Sequence, residues 1–228
     1  MTPNITAIIP ARDEADRISD TLEAVCQIAN LNRVIVVDDG SRDATAALAR
    51  AGDAEIIESS APGNPRGKGR ALVAGLAFVR RMRPEAVLIA DADLGPSASK
   101  LSRLVSELNA EFPFTIATFP PSTGGGFGLL KEYARREIFR RTGYSPAEPL
   151  SGQRALLFEA LEVLPGIAPG FGAEVGMTVD LLAAGIKPLE VPIDLDHRAT
   201  GRALAGFAHR ARQGVDVVRA LKGSRIPC

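Results

Sequence analysis

AVLIADADLGP, residues 86–96, decides how this chain is read. Five apolar residues run straight into two aspartates one position apart, Asp91 and Asp93, and then into Leu-Gly-Pro. A buried strand gains nothing from acids at its end, because a carboxylate taken from water without a partner is costly. Two other apolar runs end in the same manner. ITAIIP (5–10) leads into Ala11-Arg12-Asp13-Glu14, and RVIVVDDG (33–40) carries Asp38 and Asp39 just before Ser41. AEIIES (54–59) and FTIATF (114–119) read as further strands. Between these runs lie amphipathic stretches. Ile18, Leu22, Val25 and Ile28 recur at helical spacing, and helices are predicted over 43–51, 69–82 and 97–110, the last opening at Pro96-Ser97.

Near-continuous apolar strands alternating with helices predict an α/β fold: one Rossmann-like, mostly parallel sheet covered by helices on both faces. Such sheets bind ligands beyond the carboxyl ends of their strands, where the three acidic clusters fall. After residue 119 the alternation weakens. Residues 120–128 form a loop around Gly124, Gly125 and Gly126, followed by a helix over about 129–141. PLSGQRALLF (149–158), an apolar helix over about 172–184, a strand over 187–193 and a basic helix over about 202–221 complete the chain. No repeat or linker interrupts it. The expectation is one domain, 1–228, with a nucleotide half over about 1–119 and an acceptor half over about 120–228.

Composition narrows the partners. The 228 residues hold 27 Lys+Arg against 27 Asp+Glu, a formal charge of zero that disfavours nucleic acid as the main partner. The two cysteines, Cys26 and Cys228, form neither a zinc pattern nor a disulfide framework, so a cytoplasmic setting is expected. The first residues carry no signal-peptide pattern, and no apolar run is long enough to cross a membrane. From His197 onward there are seven Lys or Arg and one acid, Asp216, which suits a phosphate or an anionic membrane surface and leaves peripheral contact with the inner face of a membrane open. A homodimer is compatible with this composition and not required by it.

Alternation along an extended segment would send Asp91 and Asp93 to one side, where they repel unless a cation lies between. Hard oxygen ligands favour Mg²⁺ or Mn²⁺, which commonly bridge a carboxylate and substrate phosphates. Alternatively the pair is a polar strand end capping the next helix. Asp38 and Asp39 can accept hydrogen bonds from a base or ribose, or cap the helix near Asp43; Ser41 can take over that capping and leave them free. PGNPRGKGRAL (62–72) has the wrong spacing for a Walker loop and lacks its hydroxyl residue, but Lys68 at a helix start suits an anion. GGGFG lacks the spacing of a dinucleotide fingerprint.

IIPARDEA, VIVVDDGSRDAT, RGKGRAL and DADLGP, in this order, resemble the nucleotide half of family 2 glycosyltransferases with the GT-A fold. The triple glycine, SGQRA and GFGAEVGMTVDLLAAG are similar to the dolichyl-phosphate mannosyltransferase and glucosyl-3-phosphoglycerate synthase branches. The resemblance runs from Ile5 to about Gly206 and implies a metal-dependent transferase that uses a UDP- or GDP-sugar, with Mg²⁺ or Mn²⁺ as cofactor. By position it implies that Pro10, Ala11, Arg12 and Glu14 line the nucleotide pocket, that Asp38 or Asp39 holds base or ribose, and that Lys68, Asp91 and Ala92 approach the nucleotide. It further implies Asp93 as the metal ligand and catalytic group, His197 as a further metal or diphosphate ligand, and Glu174 as general base. Gly124, Gly125, Gly126, Gly152, Arg154, Arg198 and Arg202 would border the acceptor or diphosphate, and the acceptor would be a small phosphorylated molecule or a polyprenyl phosphate. Asp13 stands where many relatives have Asn. Phe127 stands where phosphoglycerate-using relatives carry a basic residue, which argues against phosphoglycerate. Two other classes compete. A sugar-phosphate nucleotidyltransferase would show a Gly-rich basic signature after its first strand, and PARDEADR is not one. A non-catalytic nucleotide-binding module would not need Asp93, Glu174 and His197 together.

Overall fold

The computed structural model describes residues 4–59, 67–119, 128–196 and 214–227. Among them the strands are β1 (Ile5–Ala11), β2 (Leu31–Asp38), β3 (Glu55–Glu58), β4 (Ala86–Ile89), β5 (Phe114–Thr118), β6 (Arg154–Leu157) and β7 (Leu189–Pro192). They form one sheet in the order β3-β2-β1-β4-β6-β5-β7. All neighbours run parallel except β6, which is antiparallel to both β4 and β5. The helices are α1 (Ile18–Cys26), α2 (Thr45–Ala51), α3 (Lys68–Met82), α4 (Ser102–Ser106), α5 (Gly128–Thr142), α6 (Phe158–Glu162) and α7 (Ala173–Ala183).

The apolar strands are continuous because both faces are covered. In β1, Ile5, Ala7 and Ile9 join one core with Ile18, Leu22 and Val25 of α1, whereas Ile8 joins the other with Leu72, Leu76 and Val79 of α3. β2 and β4 divide in the same way: Val36 and Leu88 face α1, while Ile35, Val37, Val87 and Ile89 face α3. Each such side chain contributes about 1.5–3 kcal/mol when fully buried, so one-residue slips of register are strongly disfavoured.

Two differences from the sequence reading bear on the site. The segment expected as a helix over 97–110 begins as a tight 3-10 turn at Gly95–Leu101 and becomes α-helical only over Ser102–Ser106. Gly95 has a φ of 54°, which lets the chain pass from the turn at residues 92–93 into the 3-10 segment. The second difference is β6. Its four residues, RALL, are too short and too lacking in β-branched side chains to announce a strand. Running antiparallel, β6 places its beginning where β4 places its end, with Ile89 opposite Arg154. The residues just before β6 therefore reach the carboxyl edge of the parallel strands.

The strand order turns back between β1 and β4, the topological switch at which such sheets open a crevice. α3 lies flat against β1 and β2 there because Gly75 lets it. A Cβ at Gly75 would stand 2.7 Å from Ile8 Cγ2 and 3.0 Å from Val37 Cγ2. Gly75→Ala is expected to lower unfolding stability by about 1–3 kcal/mol through overpacking. Urea denaturation checks this, and a change below about 0.5 kcal/mol, the ordinary range for surface substitutions, contradicts the close approach.

Candidate active site at the carboxyl edge

The loops after β1 and β2 are laced together. Asp13 Oδ1 accepts the Arg42 N–H at 2.7 Å, and the Asp13 N–H donates to Ser41 Oγ at 3.1 Å. The Glu14 N–H donates to Thr45 Oγ1 at 2.8 Å, and the Ala15 N–H to Asp43 Oδ2 at 3.1 Å. Asp13 sits at a φ of 55°, a conformation that Asn and Asp tolerate best among residues with a side chain. Ala11 is buried, Glu14 is half-buried and Arg12 is exposed at this edge.

The two acids ending β2 are not left free, as they would be if Ser41 capped the next helix. Asp43 does that work: its Oδ1 accepts the Thr45 N–H at 3.0 Å, and hydrogen bonds from the Thr45 hydroxyl and N–H hold its carboxyl below the usual carboxylate range. Ser41 instead turns back, its N–H and Oγ–H both donating to Asp38 Oδ1. Asp39 is 5% exposed, with Oδ1 accepting from Ser59 Oγ at 2.6 Å and Oδ2 from the Gly67 N–H at 2.8 Å.

Strand β4 stops at Ile89, so strict alternation does not carry through Asp91 and Asp93: residues 92 and 93 form a turn. α1 fixes that turn. Thr21 Oγ1 donates to the Ala92 carbonyl at 2.9 Å and accepts the Gly95 N–H at 2.8 Å, while Arg17 Nη1 donates to the Asp93 carbonyl at 2.8 Å. Asp91 then reaches across the switch point. Its Oδ1 meets Lys68 Nζ at 2.5 Å, and its Oδ2 accepts from Gln153 Nε2 at 2.6 Å. Lys68 Nζ also lies 2.7 Å from Glu174 Oε1, in the first turn of α7. Gly152 lies against this pair: a Cβ there would stand 2.4 Å from Lys68 Nζ and 2.7 Å from Asp91 Oδ2.

Burial works against the charge on Lys68, but Asp91 and Glu174 outweigh it and raise the ammonium above its ordinary range. Arg154 differs from its expected place at the acceptor border. It is 1% exposed, with Nε donating to the Ser151 carbonyl at 2.8 Å and Nη1 to Thr178 Oγ1 at 2.9 Å. Burial lowers its pKa to about 10, against the opposing pull of Glu174 and Asp91, so it is a buried cation supporting the site's frame. Gln153, which the sequence marks only as part of SGQRA, holds Asp91. Its signal was weak because an amide beside a glycine fits many surroundings. His197, Arg198, Arg202 and the Gly124–Gly126 loop lie outside the described residues.

Over residues 6–163 the chain matches the family described as Glycosyl transferase family 2. The chain belongs to that family. It is 30% identical over 198 residues to the glucosyl-3-phosphoglycerate synthase of Mycolicibacterium paratuberculosis, covering 77% of this chain and 59% of that protein. It is 25% identical over 217 residues to the polyprenol monophosphomannose synthase of Mycolicibacterium smegmatis, covering 88% of this chain and 80% of that one. It therefore spans less than two thirds of the length of the first of these relatives. Its fold is similar to the Mycobacterium tuberculosis glucosyl-3-phosphoglycerate synthase crystallised with Mn²⁺, uridine diphosphate and phosphoglyceric acid. That likeness has a TM-score of 0.79 at 24% identity, covering 98% of this chain and 80% of that chain. The mostly parallel sheet is thus the GT-A arrangement.

In this family 2 chain both Asp91 oxygens hold protein donors, Lys68 and Gln153. Among the described residues no group of three or more His, Cys, Asp or Glu side chains is arranged to cage a metal. A carboxylate oxygen such as those of Asp93 is the hard type of donor that Mg²⁺ and Mn²⁺ take, alongside substrate phosphates and water.

The Lys68 bridge has a pH signature. Because its folded pKa is raised, its contribution is fully present below the unfolded value of 10.5 and is lost only as pH rises through the higher folded value. Lys68→Met strands two carboxylates, a loss of about 3 kcal/mol for breaking a buried pair. The deficit against wild type should be steady at neutral pH and shrink only as the pH rises above 10.5, where the wild-type ammonium loses its proton. Melting curves from neutral pH to beyond that value check it, and a deficit below about 1 kcal/mol at neutral pH contradicts the bridge.

Proposed function

We propose that this chain is a metal-dependent glycosyltransferase that moves a sugar from a UDP- or GDP-sugar to a phosphate-bearing acceptor. The observation that carries the proposal is the meeting of Lys68, Asp91, Gln153 and Glu174 beyond the carboxyl ends of β1 and β4. Family membership supports the chemistry. The names of both relatives carry a phosphate on the partner of the sugar, which supports the acceptor class. We take the chain as one domain, its nucleotide half over about 1–119 and its acceptor half over about 120–228.

In this reading Pro10, Ala11, Arg12 and Glu14 line the nucleotide, Asp38 or Asp39 receives base or ribose, and Asp91 and Ala92 flank the ribose and sugar. Asp93, with His197, would hold Mg²⁺ or Mn²⁺, which when bound offsets the charge that develops on the departing nucleoside diphosphate. Lys68 adds a fixed cation beside the same charge. Glu174 fits general-base work poorly, because accepting a proton would break its ion pair with Lys68. Its proposed role is to hold Lys68 and orient the donor sugar, so that the acceptor meets an aligned anomeric carbon. Gly124, Gly125, Gly126 and Gly152 leave room for the acceptor, and Arg198 and Arg202 meet its phosphate.

The test is direct. UDP-glucose and GDP-mannose are offered with Mn²⁺ to either 3-phosphoglycerate or a polyprenyl phosphate. One pair should turn over, and Asp93→Ala should abolish that turnover; an unchanged rate removes Asp93 from the metal site. The matching nucleoside diphosphate with Mn²⁺ should stabilise the fold by about 2.7 kcal/mol at a hundredfold excess over its Kd. Charge reversal at Arg198 and Arg202 should raise the acceptor KM at least tenfold, the equivalent of about 1.4 kcal/mol, with the donor KM unmoved. An acceptor KM that stays constant contradicts the phosphate contact.

A further inference from the structure

We infer that Asp39 is a positioning residue for Lys68: its buried carboxylate ties the end of β3 to the start of α3 and so sets where the Lys68 ammonium stands. The inference rests on the functional reading above and takes one of its two branches: Asp38 receives base or ribose, while both Asp39 oxygens are held by Ser59 and Gly67.

Asp39 is buried, yet its described contacts are with neutral groups, the Ser59 hydroxyl and the Gly67 N–H. A buried carboxylate needs compensation. Gly67 supplies it as the N-cap of α3, a 15-residue helix. Its N–H belongs to the helix end whose amides carry the positive pole, so the acid accepts a charge-assisted hydrogen bond there. Ser59, immediately after β3, donates to the other oxygen, and its own N–H donates to the Asp38 carbonyl at 3.0 Å. One carboxylate thus joins β2, the end of β3 and the residue directly before Lys68.

The start of α3 is also packed closely against residues 168–170. A Cβ on Gly69 would stand 2.3 Å from the Ala168 carbonyl oxygen and 2.8 Å from the Gly170 nitrogen. The helix start is thus held both by this packing and by the Asp39 carboxylate on Gly67. Between these limits the Lys68 side chain spans Asp91 and Glu174, two groups on different elements. Such a span tolerates little displacement, since a shift of about 1 Å in a site can lower turnover roughly a hundredfold.

The experiment compares wild type, Asp39→Ala, Asp39→Asn, Lys68→Met and the double variant Asp39→Ala/Lys68→Met. Donor KM and kcat are measured together with melting curves. Asp39→Ala should lower kcat about 10–100-fold, with donor KM within about threefold. Asp39→Asn should recover most of it, since the amide oxygen can still accept from Gly67 while the hydroxyl of Ser59 rotates to accept from the amide. Once Lys68 is Met, Asp39→Ala should change kcat less than about twofold, because residues that act through one another are not additive. A raised donor KM with kcat intact makes Asp39 a nucleotide ligand, and full multiplication of the two effects makes the residues independent; either overturns the inference. If Asp39→Ala melts too low to assay, Ser59→Ala removes one bond and should show the same dependence on Lys68. Crystal structures of wild type and Ser59→Ala or Asp39→Ala give a readout free of turnover. Lys68 still bridging Asp91 and Glu174 in the variant overturns the inference, even if no nucleotide sugar proves to be a substrate.

Discussion

The site depends on one ammonium group standing between two carboxylates. Lys68 opens α3, Asp91 follows β4, and Glu174 lies in the first turn of α7. The first two come from the half of the chain rich in acidic strand ends and the third from the other half, so this bridge joins the two. Behind it Arg154, buried between Ser151 and Thr178, adds a second cation. Two carboxylates and two cations leave the cluster without net charge, which is how four ionisable groups share a mostly buried place. A single removal leaves an excess charge, while the cluster as a whole stays balanced and geometrically fixed.

The antiparallel β6 makes the cluster geometrically available. Parallel strands deliver only their ends to the carboxyl edge. β6, threaded between β4 and β5 in the opposite sense, delivers its beginning. Gly152 and Gln153 therefore arrive at Asp91 from a side no parallel strand supplies. Gly152 must lack a side chain for Lys68 and Asp91 to meet above it, and Gln153 must be a donor to satisfy the second Asp91 oxygen.

The periodicity of β1, β2 and β4 made the sheet legible, because residues buried on both faces leave unbroken apolar runs. Acids directly after those runs made the edge legible as well, and Lys68 and Glu174 were placed near it by resemblance. What the sequence did not show is who holds whom. Asp38 and Asp39 look equivalent as letters, yet one binds its own turn through Ser41 and the other binds α3. Arg154 is expected by resemblance at the acceptor border and is buried, because a guanidinium can be satisfied by carbonyls that no pattern of side chains announces. β6 escaped notice because four residues without β-branching carry no period. In each case the missing information is a partner distant in sequence: Asp39 and Gly67 are 28 positions apart, Asp91 and Gln153 62.

The C-terminal segment shows how far this dependence extends. Helical residues 214–221 bury Val217 and Leu221 against Ala134, Ile138 and Val175 of α5 and α7. Beyond them, Ile226 pairs with Ile167, and Arg225 grips Asp180 of α7 with Nε and Nη2 at 2.5 and 2.7 Å. Glycines lie beneath these contacts. A Cβ on Gly166 would stand 2.5 Å from the Ile226 carbonyl oxygen, and one on Gly172 2.4 Å from that of Asp216. Residues 166–172 are thus enclosed by the C-terminal segment on one side and by Gly69 of α3 on the other, and they lead directly into Glu174. The placement of the Lys68 bridge is consequently tied to the backbone packing of residues 166–172 against the C-terminal segment and α3. A site whose reacting charge must be met without reorganisation gains most from support of this kind. The same enclosure explains why residues 166–172 and the C-terminal segment, remote in sequence from the loops after β1 and β2, bear on the placement of Lys68.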